Sequence, residues 1–468
     1  MDSYDIVVIG SDQAGEALAM VSARGGLATA LIDDGLHGSN SFHACTPASN
    51  ALIASANIAR IARRAAGFGV NTGPVAVDLR QIQRRRHAVM EDVRSGVKQA
   101  ITDTPGLTLL EGNASFADAS TLNVEGRDGG TRQLRGGRIF INTGAHPVLP
   151  QLRGLADVPY LDFDSAMEMD QLPSHLLVLG GGAAGLELGQ AFCRLGARVS
   201  IVERRERLLS GEDRDVAATV AQILREDGVD VFLETIATSV QTDAGGRVRL
   251  QVRHPAGSRV LTGSHLLVID GRAPNTSAMN LQAAGIAVDD QGYVRVNERL
   301  ETSAPGVYAL GDVNGGPPFA HMAQDDLRIV RANLLENSRA TTAGRMCPYT
   351  VFIDPPLARV GLTETQARHQ GRDVRVARLP MSRVARAIEL NETRGFMKVV
   401  VDTATGRILG ATVLGVGGGE VLAMLQIAMM ANMPYTSLRD GVFAYPTLAE
   451  SLNNLFTSME KCHAEQRQ

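Results

Sequence analysis

The sequence predicts an α/β fold in which two similar units, each built on a parallel sheet, precede an α+β C-terminal region. An apolar strand, a glycine turn and a helix occur in that order near residue 10 and again near residue 180. In both copies an acidic residue ends the next strand, 23 positions after the first glycine (33 minus 10 and 203 minus 180). The strands YDIVVIG and HLLVLGG are near-continuous apolar runs, which is typical of parallel strands buried on both faces.

Composition restricts the class of protein. The 468 residues are enough for about three domains. Hydrophobic residues make up 44% and charged residues 21%, as in ordinary globular proteins. A net charge of −4 gives no reason to expect a nucleic acid partner. No run of about 18 apolar residues predicts a membrane span, and no basic segment precedes the first strand. We therefore expect a cytoplasmic protein that acts on a small molecule.

Cysteine spacing predicts no metal site. The four cysteines are widely scattered, and their spacing fits neither a zinc site nor a secreted disulfide framework. They are Cys45, Cys193, Cys347 and Cys462. Cys193 falls in a helix and is expected in the core. Cys462 lies in the polar tail KCHAEQRQ, which we expect to be unstructured, with metal capture by Cys462 and His463 as the alternative.

The first glycine turn predicts a dinucleotide site with one irregularity. Gly10 and Gly15 let backbone N–H groups and a helix N-terminus approach a pyrophosphate, and Asp33 is placed to bind the ribose hydroxyls. The middle glycine of this pattern is replaced by Asp12, whose carboxylate would repel the phosphates. Two interpretations stay open. Either Asp12 turns outward or is offset by a cation and the nucleotide binds, or the site binds weakly or not at all.

The second glycine turn matches the dinucleotide pattern completely. Gly180, Gly182 and Gly185 form G-x-G-x-x-G, and Glu203 ends the next strand. A carboxylate at that position favours NADH because it repels a 2′-phosphate. Arg204 and its neighbour Arg205 could instead reach a phosphate or stack on the adenine, so NADPH is the alternative. Two Rossmann-like domains are therefore predicted.

With three further stretches, the sequence resembles the class I pyridine nucleotide-disulphide oxidoreductases, such as glutathione reductase, dihydrolipoamide dehydrogenase and mercuric reductase. The stretches are FINTGAHPVLP, VIDGRAPNT and TSAPGVYALGDV, followed by FAHMAQ and by a C-terminal part that starts at PYTVFIDPPLARVGLTE. The resemblance covers essentially the whole chain and is nearest to the mercuric reductase branch.

The resemblance implies the cofactors and the domain order. It implies an FAD domain in two parts (1–148 and 270–344), an NAD(P)H domain (149–269) and a dimerisation domain (345–468) whose C-terminal segment completes the active site of a partner in a homodimer. By the same resemblance Asp312 would bind the ribityl chain of FAD. Further cofactor residues implied by the matching motifs are Thr143, Gly144, Gly271, Ala320, His321 and Ala323.

Three departures from the family pattern fall at its redox centre. Cys45 matches the flavin-proximal cysteine, but Asn40 stands where its partner cysteine belongs. A dithiol relay needs two sulfurs, so that route is closed unless Cys462 substitutes. Cys45 is either a reactive thiolate at a helix N-terminus or a small buried residue. His43 is expected to be structural, with acid–base action as its alternative.

The other two departures concern a lysine and a histidine. Ser49 or Asn50 replaces the lysine that in the family pairs with a glutamate, here Glu187. An unpaired, partly buried carboxylate has a raised pKa. Tyr445 replaces the family's histidine base, while Glu450, which would orient that base, is retained.

These features predict an FAD-dependent NAD(P)H oxidoreductase that passes electrons from the reduced flavin directly to a small acceptor, such as a quinone, a dye or oxygen. Cys45, Glu187, Tyr445 and Glu450 are the predicted active-site residues. Two alternatives remain. One is a redox-silent dinucleotide-binding scaffold or sensor, which Asp12 favours. The other is a mercuric or disulfide reductase that uses Cys45 with Cys462.

Overall fold

The computed structural model describes the backbone of residues 1–33 and 42–465, without the side chains of residues 13, 42–48, 93–94 and 460–465. The chain forms two compact units. Unit 1 contains Met1–Ala51, Arg80–Leu149 and Gly271–Arg345, and unit 2 contains Leu52–Leu79, Pro150–Asp270 and the chain from Met346 onward. The assignment of these segments to an FAD, an NAD(P)H and a dimerisation domain stays a prediction.

Helices occur throughout the described chain. They are α1 (Gln13–Arg24), α2 (Phe42–Arg64), α3 (Leu79–Thr102), α4 (Phe163–Met167), α5 (Ala183–Leu195), α6 (Arg214–Glu226), α7 (Ala320–Leu335), α8 (Glu364–His369), α9 (Ala385–Glu389), α10 (Gly418–Met430), α11 (Tyr435–Arg439) and α12 (Ser451–Glu465). None of the described helices is both long enough and apolar enough to cross a membrane. Helix α12 includes the backbone of Cys462, so our expectation of an unstructured tail was wrong for this stretch.

Strands alternate with these helices. They are β1 (Asp2–Ile9), β2 (Thr29–Asp33), β3 (Leu107–Glu111), β4 (Asn113–Phe116), β5 (Thr121–Glu125), β6 (Thr131–Ile141), β7 (Ala145–Pro147), β8 (His175–Leu179), β9 (Arg198–Val202), β10 (Asp230–Phe232), β11 (Ile236–Thr242), β12 (Val248–His254), β13 (Gly257–Gly263), β14 (His265–Val268), β15 (Arg272–Pro274), β16 (Val307–Ala309), β17 (Tyr349–Val351), β18 (Leu357–Gly361), β19 (Val374–Pro380), β20 (Phe396–Asp402) and β21 (Ile408–Leu414).

Unit 1 is built on a mixed sheet of order β3-β2-β1-β6-β5-β4, with β16 beside β6. Strands β1, β2, β3, β6 and β16 pair in parallel, whereas β4, β5 and β6 pair antiparallel. Val7 and Val8 face opposite sides of β1, and both are fully buried. This agrees with the apolar run of the first strand, because helices cover both faces of a parallel sheet.

Unit 2 contains a parallel sheet of order β10-β9-β8-β14, an antiparallel sheet of β11-β12-β13 and a C-terminal antiparallel sheet of order β17-β18-β21-β20-β19. Residues of this last sheet form one buried cluster with residues of α10, α11 and α12, among them Val399, Leu425 and Phe456. The predicted parallel core and the α+β C-terminal region are therefore both confirmed.

A network of arginines and carboxylates joins distant segments of unit 2. Arg194 on α5 lies 2.6 Å from both Asp227 and Asp354, and the Arg194 side chain is only 4% exposed. Arg60 on α2 pairs with Asp354 and Glu392, and Arg394 pairs with Asp227 and Glu392. Burial alone would raise the pKa of Glu392, but hydrogen bonds from Arg394 and Arg60 hold it at about 2. The network therefore keeps its charges over the whole physiological pH range.

Lys398 on β20 forms a second buried ionic cluster in unit 2. Its Nζ lies 3.1 Å from Asp213 Oδ2, 3.1 Å from Asp215 Oδ1 and 2.9 Å from Glu364 Oε2. Burial opposes the charged form, but hydrogen bonds to Glu364 and Asp213 raise the pKa of Lys398 above its usual value. The ammonium group is therefore fixed and charged.

Candidate functional site

The first glycine turn has the shape that a dinucleotide needs. Gly10 has a positive φ of 101°, and a Cβ on it would lie 2.2 Å from the carbonyl oxygen of Asn142. A Cβ on Gly15 would lie 2.3 Å from the carbonyl oxygen of Gly10. Only glycine fits at either position, so the backbone of β1 passes close to the start of α1.

The predicted unit 1 cofactor residues meet at one edge of its sheet. Ile9 of β1 is paired with Ile141 of β6, and Ile141 with Ala309 of β16. The residues that follow these strands therefore share the carboxyl edge, where open α/β sheets bind their ligands. They are Gly10, Asp33 at the end of β2, Thr143, Gly144 and Asp312.

Asn142 connects three of these segments, and we did not predict its role. Its Oδ1 accepts a hydrogen bond from the N–H of Gly15 at 2.7 Å, and its Nδ2 donates to the carbonyl oxygen of Leu310 at 2.8 Å. The residue is 1% exposed. Asn142 directly precedes Thr143 in the FINTG stretch. Its position as a polar residue beside that family motif was the sequence signal that could have predicted its role.

Three carboxylates gather around the first turn. Asp12 and Asp33 are 9% and 6% exposed, and the N–H of Glu16 donates to the carbonyl oxygen of Asp12 at 3.1 Å. Burial, with added repulsion from Asp12 and Asp33, raises the pKa of Glu16 to about 8. Glu16 was not among the predicted site residues, because an acid in the first turn of a helix is ordinary.

These residues fit FAD in shape and bring three acids to the first turn. The glycine turn leaves no room for a side chain, and Asp33 ends β2 where ribose hydroxyls are bound. Asp12 is 9% exposed and stands in this turn, close enough to Glu16 to raise its pKa. Glu16 is mostly protonated below pH 8 because of its raised pKa, so it adds little charge at neutral pH.

The second flavin motif is held by polar contacts within unit 1. Asp312 lies in a 3₁₀ turn over Gly311–Asn314, and its Oδ2 is 3.4 Å from Arg272 Nη2. The same Nη2 donates to the carbonyl oxygen of Ala145 at 2.6 Å, which places β15 beside the turn after β6. Gly144 has a positive φ of 68°, and Gly271 lies at the boundary of the unit with open space around it.

The start of α7 carries the remaining predicted flavin residues. Ala320 is the first residue of the helix, and the exposed ring of His321 stacks on Phe319 with centroids 5.4 Å apart. Ala323 is buried, and its Cβ is 3.4 Å from the position of a Cβ built on Gly311. The helix start therefore lies beside the turn that contains Asp312.

The second glycine turn forms the same shape in unit 2. Gly180 has a φ of 120°, and a Cβ on it would lie 1.9 Å from the carbonyl oxygen of Ile269. Gly182 is the N-cap of α5, and Gly185 packs against Gly180. Both carboxylate oxygens of Glu203 accept backbone hydrogen bonds at 2.8 Å, from Gly181 and Arg205. The acid at the end of β9 is therefore fixed against the turn.

A pocket of about 310 Å³ opens beside this turn. Its lining includes Gly180, Glu203 and Arg204, together with Leu152, Ile236 and Asp270. The combination of apolar side chains with a fixed carboxylate suits the adenosine half of a nicotinamide dinucleotide. Asp270 was not predicted, since it lies 66 residues from Arg204 in sequence (270 minus 204).

Glu187 on α5 shows the raised pKa expected from the sequence. Burial raises the pKa of Glu187 to about 7, although the N–H of Phe352 donates to its Oε1 at 2.7 Å. Among the side chains that the structure describes, no cation pairs with it. Ser49, one of the two residues at the family's lysine position, is buried.

The residues of the predicted redox centre are described only in part. The backbone of Cys45 and His43 belongs to α2, but their side chains and the whole of Asn40 lie outside the described residues. Tyr445 is 73% exposed and precedes α12. Glu450 contacts Asn454 and the backbone N–H of Glu450 donates to Thr447 Oγ1. The contacts described for Glu450 are with neighbouring residues of its own segment, so the roles of Tyr445 and Glu450 stay predictions.

Two other cysteines, Cys193 and Cys347, have described side chains, and neither is in a disulfide bond. Cys193 Sγ donates to the carbonyl oxygen of Asp227 at 3.3 Å. Burial, followed by the negative charge of Asp227, raises the pKa of the Cys193 thiol. Cys193 is therefore a poor nucleophile, but it is only partly buried, so the expected place in the core was wrong. Within the described part of the chain, no group of three His, Cys, Asp or Glu residues is placed to hold a metal ion.

Comparison with known proteins gives matches over nearly the whole chain. The family model for pyridine nucleotide-disulphide oxidoreductases matches residues 4–326, and the model for the dimerisation domain of that family matches residues 347–456. The probable pyridine nucleotide-disulfide oxidoreductase RclA of Escherichia coli (strain K12) is 36% identical over 459 residues, which is 98% of this chain and 99% of the relative.

Mercuric reductases are also similar. The mercuric reductase of Streptomyces lividans is 33% identical over 451 residues, 96% of this chain and 94% of that protein. Among solved structures, the Cu(II) complex of the HOCl-induced flavoprotein disulfide reductase RclA from Escherichia coli superposes with a TM-score of 0.87 at 34% identity, and 98% of this chain and 99% of that chain are covered.

Proposed function

This chain belongs to the pyridine nucleotide-disulphide oxidoreductase family, and from that premise we propose that it is an FAD-dependent NADH oxidoreductase that reduces a small acceptor without a disulfide relay. The family relation supports a homodimeric, FAD-dependent pyridine nucleotide oxidoreductase. The absence of a disulfide relay is our addition. The observation that carries it is Asn40, which stands where the family's second cysteine belongs.

The two glycine turns would bind the two nucleotides. Bound FAD would supply the redox chemistry, by accepting a hydride equivalent from NADH and releasing electrons to an acceptor. In unit 2 the backbone around Gly180 and the fixed carboxylate of Glu203 would hold the adenosine end of NADH. In unit 1 the turn at Gly10 and the acids Asp33 and Asp312 would hold FAD.

The Glu187 carboxyl group would take up and release a proton near neutral pH. Its Oε1 is occupied by the N–H of Phe352, so its Oε2 would carry the proton in the neutral form. A group with a pKa of about 7 is present in both forms at neutral pH and can take up or release a proton during turnover. In the family this carboxylate is paired with lysine, and here the proton takes the place of that cation.

A thiol relay is the less favoured route. Resolving a mixed disulfide needs a second thiolate, and Cys193 is partly buried with a raised pKa. The choice of NADH over NADPH depends on Glu203, because its fixed carboxylate repels a 2′-phosphate. We therefore propose NADH as the donor, with NADPH as the alternative.

The first test is an anaerobic visible spectrum of the purified protein before and after one equivalent of NADH, followed by turnover with a quinone. We expect flavin bleaching without a thiolate-to-flavin charge-transfer band. We also expect the Cys45→Ser variant to retain most of the quinone reduction, since the sulfur is not in the path. Loss of more than about 90% of quinone turnover in Cys45→Ser, with bleaching retained, would contradict the direct route.

Two observations favour other candidates. The relatives named mercuric reductase favour a metal-ion or disulfide reductase that uses Cys45 with Cys462 of the C-terminal helix. In that case the Cys462→Ser variant would lose Hg(II) or disulfide reduction and keep quinone reduction. The buried Asp12 favours a redox-silent scaffold, which would be colourless as purified and would take up no added FAD.

A further inference from the structure

We propose that Asp270 is a specificity residue of the second nucleotide site: it holds Arg204 in an ion pair and thereby selects against a 2′-phosphate on the nucleotide. This inference rests on the proposed binding of NADH at that site. The relevant atoms are Arg204 Nη1 and Asp270 Oδ2, which are 3.7 Å apart. Both residues line the pocket beside the glycine turn.

The negative charge in this pocket is fixed by the backbone. Glu203 is 9% exposed, and each of its carboxylate oxygens accepts a hydrogen bond from a backbone N–H. The carboxylate therefore cannot turn away when a phosphate enters. A nucleotide with a 2′-phosphate needs a nearby guanidinium that outweighs this charge.

The two arginines that could supply that guanidinium, Arg204 and Arg205, already have polar partners. Arg205 Nη1 donates to Ser210 Oγ at 2.5 Å. The side chain of Arg204 is 57% exposed and its Nη1 lies near Asp270 Oδ2, so this ion pair is the polar contact that directs its guanidinium toward Asp270. Asp270 thus both neutralises Arg204 and adds a second acid to the pocket.

The fold explains why Asp270 lies at this place. Strands β9 and β14 flank β8 in the parallel sheet, so the segments after all three strands meet at the carboxyl edge. Asp270 follows β14, and its Cα is 3.7 Å from the position of a Cβ built on Gly180. The pKa of Asp270 is raised by burial, against the lowering charge of Arg204, the raising charge of Glu203 and the lowering charge of Arg205.

Removing the Asp270 carboxylate should release Arg204 to bind a 2′-phosphate. An exposed ion pair is weak, so we expect about a fivefold gain in affinity for a 2′-phosphorylated ligand. A ligand without that phosphate should change by less than about twofold, since it makes no use of the freed guanidinium. The quantity of interest is therefore the ratio of the two affinities.

The experiment is calorimetric titration of the purified full-length protein with 2′,5′-ADP and with 5′-ADP. The variants are Asp270→Ala, Asp270→Asn, Asp270→Glu, Arg204→Ala and the double variant Asp270→Ala/Arg204→Ala. Asp270→Ala and Asp270→Asn should each bind 2′,5′-ADP about fivefold more tightly, Asp270→Glu should behave as the wild type, and the double variant should lose the gain. Asp230→Ala removes the partner of Arg198, an exposed pair outside the pocket lining, and should change neither affinity.

Each outcome decides the proposal. Unchanged 5′-ADP binding in the Asp270 variants shows that the site is folded. If 2′,5′-ADP gains nothing under that condition, or if its gain persists in the double variant, the proposal is wrong and the NADH site stands. If wild-type protein binds neither ligand, the proposed nucleotide site itself fails, and the inference fails with it.

Discussion

Replacing Glu16 by glutamine should stabilise the protein, and the gain should grow with pH. Glu16 lies at the first glycine turn, and burial with repulsion from Asp12 and Asp33 raises its pKa from 4.5 to about 8. A carboxyl whose pKa is higher in the folded state binds more protons there than in the unfolded state. The free energy of unfolding therefore falls as pH rises from about 4.5 to about 8.

The size of the change in unfolding free energy follows from the shift in the pKa of Glu16. A difference of 3.5 pKa units (8 minus 4.5) corresponds to about 5 kcal/mol at most. Relaxation around a partly buried group lowers this bound, and we expect about 2–3 kcal/mol above pH 8. Glutamine has the same shape and no charge, so the Glu16→Gln variant should match the wild type near pH 5 and exceed it increasingly toward pH 9.

Urea unfolding at five pH values between 5 and 9 measures this difference. Glu91 is exposed on α3, and Glu91→Gln is the matched control that should follow the wild type. Asp12→Asn should lower the pKa of Glu16 and reduce the pH dependence. A stability difference that is constant with pH, or that grows toward acid, would refute the reasoning. A second readout is FAD retention on gel filtration, which should fall above pH 8 in the wild type and less so in Glu16→Gln.

Three further predictions concern buried polar groups. Asn142→Ala leaves two buried backbone partners unsatisfied, so it should lower the free energy of unfolding by about 1–3 kcal/mol; an unchanged thermal midpoint would contradict the bridging role. Arg194→Ala leaves buried carboxylates unpaired and should cost about 3–5 kcal/mol, whereas Arg198→Ala at an exposed pair should cost about 1 kcal/mol or less, both measured by urea unfolding. Glu187→Gln should abolish the pH dependence of flavin reduction by NADH around pH 7 in anaerobic stopped-flow; a wild-type-like profile would assign that titration to another group. Because burial raises the folded pKa of Glu187 from 4.5 to about 7, the wild type loses stability as pH rises from about 4.5 to about 7, and the variant should be the more stable one at pH 8.

The sequence was sufficient for the parts of the fold that depend on local patterns. Apolar runs predicted the parallel strands, and the spacing of Gly10 to Asp33 and of Gly180 to Glu203 predicted both turns. These signals are short-range, because a glycine turn and the acid of the next strand belong to one β-α-β unit.

The contacts that complete each site were not predictable in the same way. Asn142 reaches Gly15 across 127 positions, and Asp270 reaches Arg204 across 66 (270 minus 204). Such pairs depend on which strand ends share a sheet edge. Glu16 is close in sequence to the turn, but its raised pKa depends on burial and on Asp33 at the end of another strand. For residues 461–465 the expectation of an unstructured tail was wrong, because the 15-residue helix α12 continues past Met459, whose side chain packs in the C-terminal core.

The ionic cluster at Lys398 has a consequence for chemical labelling. The chain has three lysines, Lys98, Lys398 and Lys461, and its other basic side chains are arginines. The ammonium of Lys398 is buried among three carboxylates and stays protonated, so it is a poor nucleophile toward acylating reagents. Succinimidyl cross-linkers will therefore find few amines on each chain, and a weak cross-linked band would not argue against a dimer. Arginine-directed dicarbonyl reagents would sample far more of the surface.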